Sequence, residues 1–289
     1  MSDSQRIIWL ASFPKSGNTW TRSFLAHYFM PPGEAPDINN LRRFTTADVR
    51  QDFFDKAAGR AFVATDFEDW LKMRQKALRL IALSKPGHHF VKTHCRIDRI
   101  GGLDLIPPAV TAAAIYIMRN PFDLALSYSR HLGLPLDETI TNMAFDGAMN
   151  MTPANLFEVI GRCDIHVESW TTAPGLPRHV MRYEDMLADT ERAFRGLLGF
   201  LGAKVTDGRM RRAIRATSFD ALRKQEEQKG FIERPPQMER FFARGEAGAW
   251  REELTPAQIG RIRETFLPTI ERWYPEMLKE TSALAAGGA

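Results

Sequence analysis

Phe13-Pro14-Lys15-Ser16-Gly17-Asn18-Thr19-Trp20 gathers a cation, hydroxyls and a glycine into one turn, directly after the apolar run Ile7 to Ala11. A strand that feeds a helix through such a turn leaves backbone N–H groups unpaired at the positive end of the helix dipole, and both favour a phosphate. Gly17 lets the backbone come close to an anion, Lys15 adds charge, and Ser16 and Thr19 add hydroxyl donors. A Ser-Gly turn alone would do no more than cap a helix; the lysine behind a buried strand turns the reading towards binding. A Walker A loop needs an earlier glycine and a lysine after its second one. Here the lysine precedes the glycine, so ordinary ATPase chemistry is disfavoured.

Arg119-Asn120-Pro121-Phe122-Asp123-Leu124-Ala125-Leu126-Ser127 forms a second strand-to-helix junction. A guanidinium at the strand end can hold a phosphate bidentately. Ser127 lies about 9 Å of helical rise beyond Pro121, close enough to share that anion if the strand end leans over the helix. Either residue alone would ordinarily face solvent.

Val91-Lys92-Thr93-His94 is the third element. His94 should follow a central strand, at the carboxyl edge where open α/β sheets bind ligands. A neutral imidazole, with an ordinary pKa near ~6.5, can take a proton from a hydroxyl or amine. The other histidines are read as structural.

These segments resemble the PAPS-dependent sulfotransferase family, whose donor is 3′-phosphoadenosine 5′-phosphosulfate (PAPS) and whose nucleotide product is 3′-phosphoadenosine 5′-phosphate (PAP). Pro14-Lys15-Ser16-Gly17-Asn18-Thr19-Trp20 is similar to the family's 5′-phosphosulfate loop. The resemblance implies that Lys15 meets the sulfate-bridging oxygen and that Trp20 stacks on adenine. Asn18 stands where animal cytosolic members carry threonine. Arg119 and Ser127 resemble the 3′-phosphate pair, and Lys92-Thr93-His94 resembles the segment that supplies the catalytic base. Tyr183 and Thr217-Ser218-Phe219 match residues near adenine, although helix capping explains Ser218, Glu184 and Asp185 equally well. Phe242-Ala243-Arg244-Gly245-Glu246-Ala247-Gly248-Ala249-Trp250 resembles the cofactor lid, with Ala243 for the usual arginine and Arg244 for the usual lysine. Arg244 and the backbone at Gly245 are the candidates to cover the lost contact.

The resemblance implies in-line sulfuryl transfer to a hydroxyl or amine of a small-molecule acceptor, with no metal. Lys15, Lys92, His94 and Ser127 form the expected catalytic set. Ser16, Gly17, Asn18, Thr19, Trp20, Arg119, Tyr183, Thr217, Ser218, Phe219, Phe242, Arg244 and Gly245 join Lys15 and Ser127 on the donor. Phe13, Phe44, Lys92 and His94 are expected at the acceptor, with Phe53, Phe54 and the stretch Gly133 to Asn150 as further walls. The dimerisation pattern of animal cytosolic members is not preserved, since Thr255-Pro256 replaces Thr-Val and Gly260 replaces glutamate. The rivals are an ATP-dependent, kinase-like P-loop enzyme and a non-catalytic PAP-binding module; a pure binder would not need Lys15, Lys92 and His94 together.

The elements that position these residues follow from hydrophobic periodicity. Strands are expected at Ile7 to Ala11, His89 to Lys92, Ala112 to Met118 and His179 to Tyr183. Helices are expected over Asn18 to Phe29, Glu68 to Leu83, Pro121 to His131, Ala154 to Thr172, Met186 to Leu201, Asp207 to Ala216, Phe219 to Lys224 and Pro256 to Trp273. Met30 to Asp66 reads as irregular, Gln228 to Glu253 as a loop that orders on binding, and the chain from Ser282 as a frayed tail. Strands alternating with helices predict an α/β, P-loop-like three-layer fold, a central parallel sheet flanked by helices, within a single domain.

With 44% apolar and 26% charged residues the chain is neither disordered nor fibrous. A net charge of +4, spread along the chain, gives no concentrated basic stripe for nucleic acid. Cys95 and Cys163 have no metal spacing and read as reduced thiols. Asp3 and the short run Ile7 to Ala11 do not make a signal peptide, and Ala109 to Met118 is too short to span a bilayer, so a cytoplasmic protein is expected.

Overall fold

The computed structural model describes residues 6–286; Asp3 and the last three residues of the tail lie outside them. In chain order come β1 (Ile7–Ser12), α1 (Asn18–Phe29), β2 (Thr46–Ala47), α2 (Gln51–Ala58), α3 (Phe67–Leu83) and β3 (His89–Thr93). Then follow β4 (Arg99–Ile100), β5 (Leu103–Asp104), β6 (Thr111–Met118), α4 (Pro121–Leu132), α5 (Leu136–Met143), β7 (Met149–Met151) and β8 (Phe157–Val159). After α6 (Cys163–Thr172) and β9 (Arg178–Arg182) come α7 (Tyr183–Ala188), α8 (Thr190–Phe200), α9 (Asp207–Ala216), α10 (Phe219–Lys229) and α11 (Trp250–Glu253). The chain continues as α12 (Pro256–Thr265), α13 (Leu267–Trp273) and α14 (Leu278–Ala286).

Five strands form the central sheet in the order β2-β3-β1-β6-β9, with β3 parallel to both β1 and β2. Trp9, Leu10 and Ala11 are fully buried, as expected for a strand covered on both faces, and explain its unbroken apolar run. The predicted α/β architecture, a parallel sheet flanked by helices, is what the chain adopts.

The described residues divide into two compact units. The first comprises the chain up to Phe13, Arg42–Tyr116 and Phe145–Val180; the second comprises Pro14–Leu41, Ile117–Ala144 and Met181 onwards. In the first, Trp9 packs against Trp170, which stacks on Tyr116 with their rings 14° from parallel. Arg74 is fully buried there, donating to the Asp48 carboxylate at 2.6 Å and to the Leu105 carbonyl at 3.1 Å. In the second, Phe24 stacks on Phe194 with ring centroids 3.7 Å apart. Asn120 caps α4 by accepting from the Asp123 N–H, Pro121 takes the first helical position, and Gly133 at φ 68° ends the helix.

Several expected boundaries shift, each for a local reason. Ala154 to Thr172 is not one helix: Phe157–Val159 pairs antiparallel with Met149–Met151, and Gly161 at φ 68° holds off the helix until Cys163. Met186 to Leu201 is two helices, because the Asp189 side chain accepts from the Arg192 N–H and starts a new one. Pro256 to Trp273 breaks at Phe266, since Pro268 has no N–H to continue the ladder and sits in the first turn of α13 instead. The segment read as irregular, Met30 to Asp66, contains β2 and α2, and the stretch Gly133 to Asn150 contains α5. α10 runs on to Lys229, into the segment read as loop, and alanine-rich α14 carries the tail as helix to Ala286.

Candidate active site

The turn after β1 carries an unusual backbone. Lys15 has φ 70° and Gly17 has φ 107°. A side chain with a Cβ in the left-handed region costs roughly 1–2 kcal/mol, so Lys15 holds a conformation that glycine would adopt more readily. Gly17 is the N-cap of α1, which has no side-chain cap and no acidic residue in its first turn. The positive helix end therefore receives no anion from its own first turn. Ser16 is fully buried, and its hydroxyl has no hydrogen-bond partner within the protein. A Cβ on Gly17 would stand 2.9 Å from the Tyr183 ring, so the glycine is needed for the close approach as well as for its φ.

Tyr183, the first residue of α7, joins this turn to the second one. Its ring meets Trp20 edge-on at 5.9 Å, and the Arg119 guanidinium lies over it, 4.5 Å from the centroid. Burial, opposed by Arg119, raises the Tyr183 pKa. Arg119 donates through Nη2 to the Glu246 carbonyl at 2.8 Å, while its buried Nε has no partner. The Lys15 loop and Arg119 thus share one aromatic wall.

The segment expected to form the lid lies in the same unit. A Cβ on Gly245 would fall 2.1 Å from the Phe219 ring, so only glycine lets the lid backbone lie on that face. Trp20, Phe219 and Phe241 pack around a buried cluster of Ile38, Leu222, Phe231 and Phe242. The Lys15 ammonium sits 3.5 Å from the Phe241 ring centroid, a cation–π contact. Two buried carboxylates tether the segment that was expected to order on binding. Glu226 accepts from the Phe241 and Phe242 N–H groups at 2.7 and 2.9 Å, and Asp123 accepts from those of Gly248 and Trp250 at 2.7 and 3.2 Å. Arg244 pairs with Glu253 and, at 3.8 Å, with Glu246.

The first unit holds the other candidates. The register pairs Ala11 with Thr93, so Ser12 and His94 leave β1 and β3 side by side. His94 Nδ1 donates to the Ser12 carbonyl at 2.7 Å, which places its proton there and the lone pair on Nε2. Thr93 points to the opposite face and donates to Asp48 at 2.7 Å, so the buried Arg74–Asp48 pair fixes the strand end that carries His94. Phe44 stacks on Phe90, two residues before Lys92 and on the same side of β3. Phe13 is buried edge-on against His166. His166 donates through Nε2 to the His94 carbonyl and accepts at Nδ1 from Tyr116.

The family model described as the sulfotransferase domain matches residues 5–278. The chain belongs to the sulfotransferase family. Its motifs had implied a PAPS-dependent member, and the family match agrees with that expectation. Among curated sulfotransferases, cytosolic sulfotransferase 14 of Arabidopsis thaliana is 24% identical over 88% of this chain and 72% of its own length. Flavonol 3-sulfotransferase of Flaveria bidentis is 22% identical over 88% of this chain and 78% of its own. Among solved structures, mouse sulfotransferase SULT7A1 complexed with PAP superimposes with a TM-score of 0.59 at 21% identity, covering 96% of this chain and 89% of that one. Retinol dehydratase in complex with androsterone and inactive cofactor PAP gives 0.62 at 20% identity, covering 91% and 80%.

Of the expected donor residues, Lys15 to Trp20, Arg119, Tyr183, Phe219, Phe242 and Gly245 gather in the second unit. Ser127 is half-buried on α4. Thr217 and Ser218 serve the helices: the Thr217 hydroxyl donates to the Ala213 carbonyl, and Ser218 caps α10 through the Ala221 N–H. Phe54 is fully buried and stacks on Phe62, so it is core and not an acceptor wall. The sequence reading missed Phe241, Glu226 and the lid-anchoring role of Asp123. Phe241 adjoins a motif and was within reach; the carboxylates are paired with the lid only by the fold. Among the described residues no cluster of His, Cys, Asp and Glu could hold a metal, and no helix is long and apolar enough to cross a membrane.

Proposed function

We propose that this sulfotransferase moves a sulfuryl group from PAPS to a hydroxyl or amine of a small-molecule acceptor, by in-line displacement with His94 as general base. The observation that carries the donor reading is Tyr183, whose ring is shared by the Gly17 turn, Trp20 and Arg119. One aromatic residue flanked by two cationic turns fits a nucleotide phosphorylated at both ends. The orphaned Ser16 hydroxyl and Arg119 Nε, and the two glycines whose place a Cβ would fill, fit the same ligand.

PAPS supplies the sulfuryl group and a phosphate leaving group. Lys15, Ser16, Gly17, Asn18 and Thr19 bind the phosphosulfate, and Lys15 offsets charge on the leaving oxygen. Arg119 and Ser127 hold the 3′-phosphate; Trp20, Tyr183 and Phe219 flank the adenine, with Thr217 and Ser218 behind them. Phe242, Arg244 and Gly245 cover it. Lys92 steadies the transferring sulfuryl oxygens, and Phe13 and Phe44 contribute to the acceptor side. His94 can accept a proton at Nε2 because Nδ1 already donates to the Ser12 carbonyl. We assign both units to one sulfotransferase domain, since the family match runs through both, and place it in the cytoplasm as the names of its curated relatives suggest.

Calorimetry with PAP and with Mg-ATP tests the donor reading. PAP binds in preference, and Arg119→Ala weakens it by ~10- to 100-fold, the loss of a charge-assisted contact. Preference for Mg-ATP would replace this reading with the kinase-like one.

A further inference from the structure

Asp123, Ser127 and Arg130 lie at i, i+4 and i+7 along α4, so they share one helix face. That face looks at the lid. Asp123 accepts from two lid N–H groups, and the Arg130 guanidinium stands 3.5 Å from Glu253, just beyond the lid. Ser127, between them, therefore faces the same segment. Glu253 also pairs with Arg244, and Arg119 donates to the carbonyl of Glu246, the residue whose carboxylate reaches Arg244.

Three guanidinium groups thus converge on the side of α4 that carries Ser127. Asp123 is held by the Gly248 and Trp250 N–H groups and the Asn120 amide, and the buried Glu184 carboxylate faces Arg119 while accepting from Asn120, so Glu246 and Glu253 are the carboxylates paired with Arg244 and Arg130. Burial and the nearby charges of Arg244 and Arg119 pull the Arg130 pKa below its ordinary value, against the opposing pull of Glu253. Such crowding of like charges is relieved by a dianion that all three can reach. Arg130 is also half-buried, with a side-chain exposure of 37%, so it is not a freely solvated surface group.

We propose that Arg130 is the third cation of the 3′-phosphate site. It acts from α4 in place of the lid arginine that Ala243 lacks, and Glu253 is the counterion it releases when the nucleotide enters. The consequence is selectivity: Arg130 discriminates nucleotides with a 3′-phosphate from those without. The inference rests on the donor reading above, and the experiment separates the two.

Calorimetric titrations with PAP and with 5′-AMP on the wild type, Arg130→Gln, Arg130→Lys and Arg130→Gln/Ala243→Arg decide it. Arg130→Gln weakens PAP ~10- to 100-fold while 5′-AMP stays within about twofold. Arg130→Lys, which keeps the charge but loses the fork, falls between the two. Adding Ala243→Arg to Arg130→Gln restores most of the loss. A wild-type preference for PAP that survives Arg130→Gln overturns the inference and leaves the donor reading standing. A wild type with no preference for PAP over 5′-AMP overturns both. Equal loss of PAP and 5′-AMP in Arg130→Gln, with Arg130→Lys no better, shows a structural role and overturns the inference.

Discussion

The two units present their candidate groups in opposite ways. In the second, charge and backbone are held ready: an uncapped helix end, a buried hydroxyl with no partner and arginines crowded beside surface carboxylates. In the first, the His94 imidazole is oriented by strand register, the Ser12 carbonyl and a buried ion pair below Thr93. Binding a highly charged donor rewards unsatisfied groups, whereas proton transfer rewards a fixed tautomer. Donor affinity should therefore belong to the second unit and the proton step to the first.

His94→Ala gives the sharpest separation. Turnover with a hydroxyl acceptor should fall by ~10²- to 10⁴-fold, while PAP affinity by calorimetry stays unchanged. Unchanged turnover would remove His94 as the base, and a parallel loss of PAP affinity would dissolve the division between units. Next comes Asp48→Ala, which leaves Arg74 buried without its carboxylate. Denaturant unfolding should show about 3–5 kcal/mol less stability. Asp123→Ala is a smaller change in the other unit: about 1–3 kcal/mol of local stability, read as faster amide exchange at Gly248 and Trp250 with exchange along β3 unaltered. Faster exchange along β3 would count against independent anchoring.

The remaining effect is on acid stability. Burial pushes His166 down to about 3 from an ordinary 6.5. Above pH ~6.5 the imidazole is neutral in both folded and unfolded chains; below it the unfolded chain takes up a proton that the folded one refuses. Stability should fall as the pH drops from 6.5 towards 3, by at most ~1.4 kcal/mol per pH unit. Denaturant midpoints at pH 7 and pH 5 should differ less in His166→Gln than in the wild type; an equal difference would assign the sensitivity to carboxylates.

Legibility in the sequence followed locality. β1 and β6 were readable because burial on both faces makes uninterrupted apolar runs, β3 because its short run follows the Pro86-Gly87 break, and α1 and α9 because their periodicity and boundaries lie within one segment. β2 spans two residues and β7–β8 three each, too short for a period to register. The same rule held for the candidate site. Lys15 to Trp20 and Gly245 sit in contiguous motifs, but Asp123 meets Gly248 across 125 positions, a pairing that only the packed chain creates. Nothing in the sequence marks Arg130, because one arginine in a last helical turn looks like a partner for the helix dipole.

The left-handed backbone at Lys15 sets heat resistance against usefulness. Glycine at that position would relax the turn, and a melting assay would score the exchange as an improvement even though the ammonium had gone. With Lys15 on the donor as proposed, libraries of this protein ranked by thermal tolerance alone would drift towards inert variants at position 15, and a stabilisation campaign would have to hold that lysine constant.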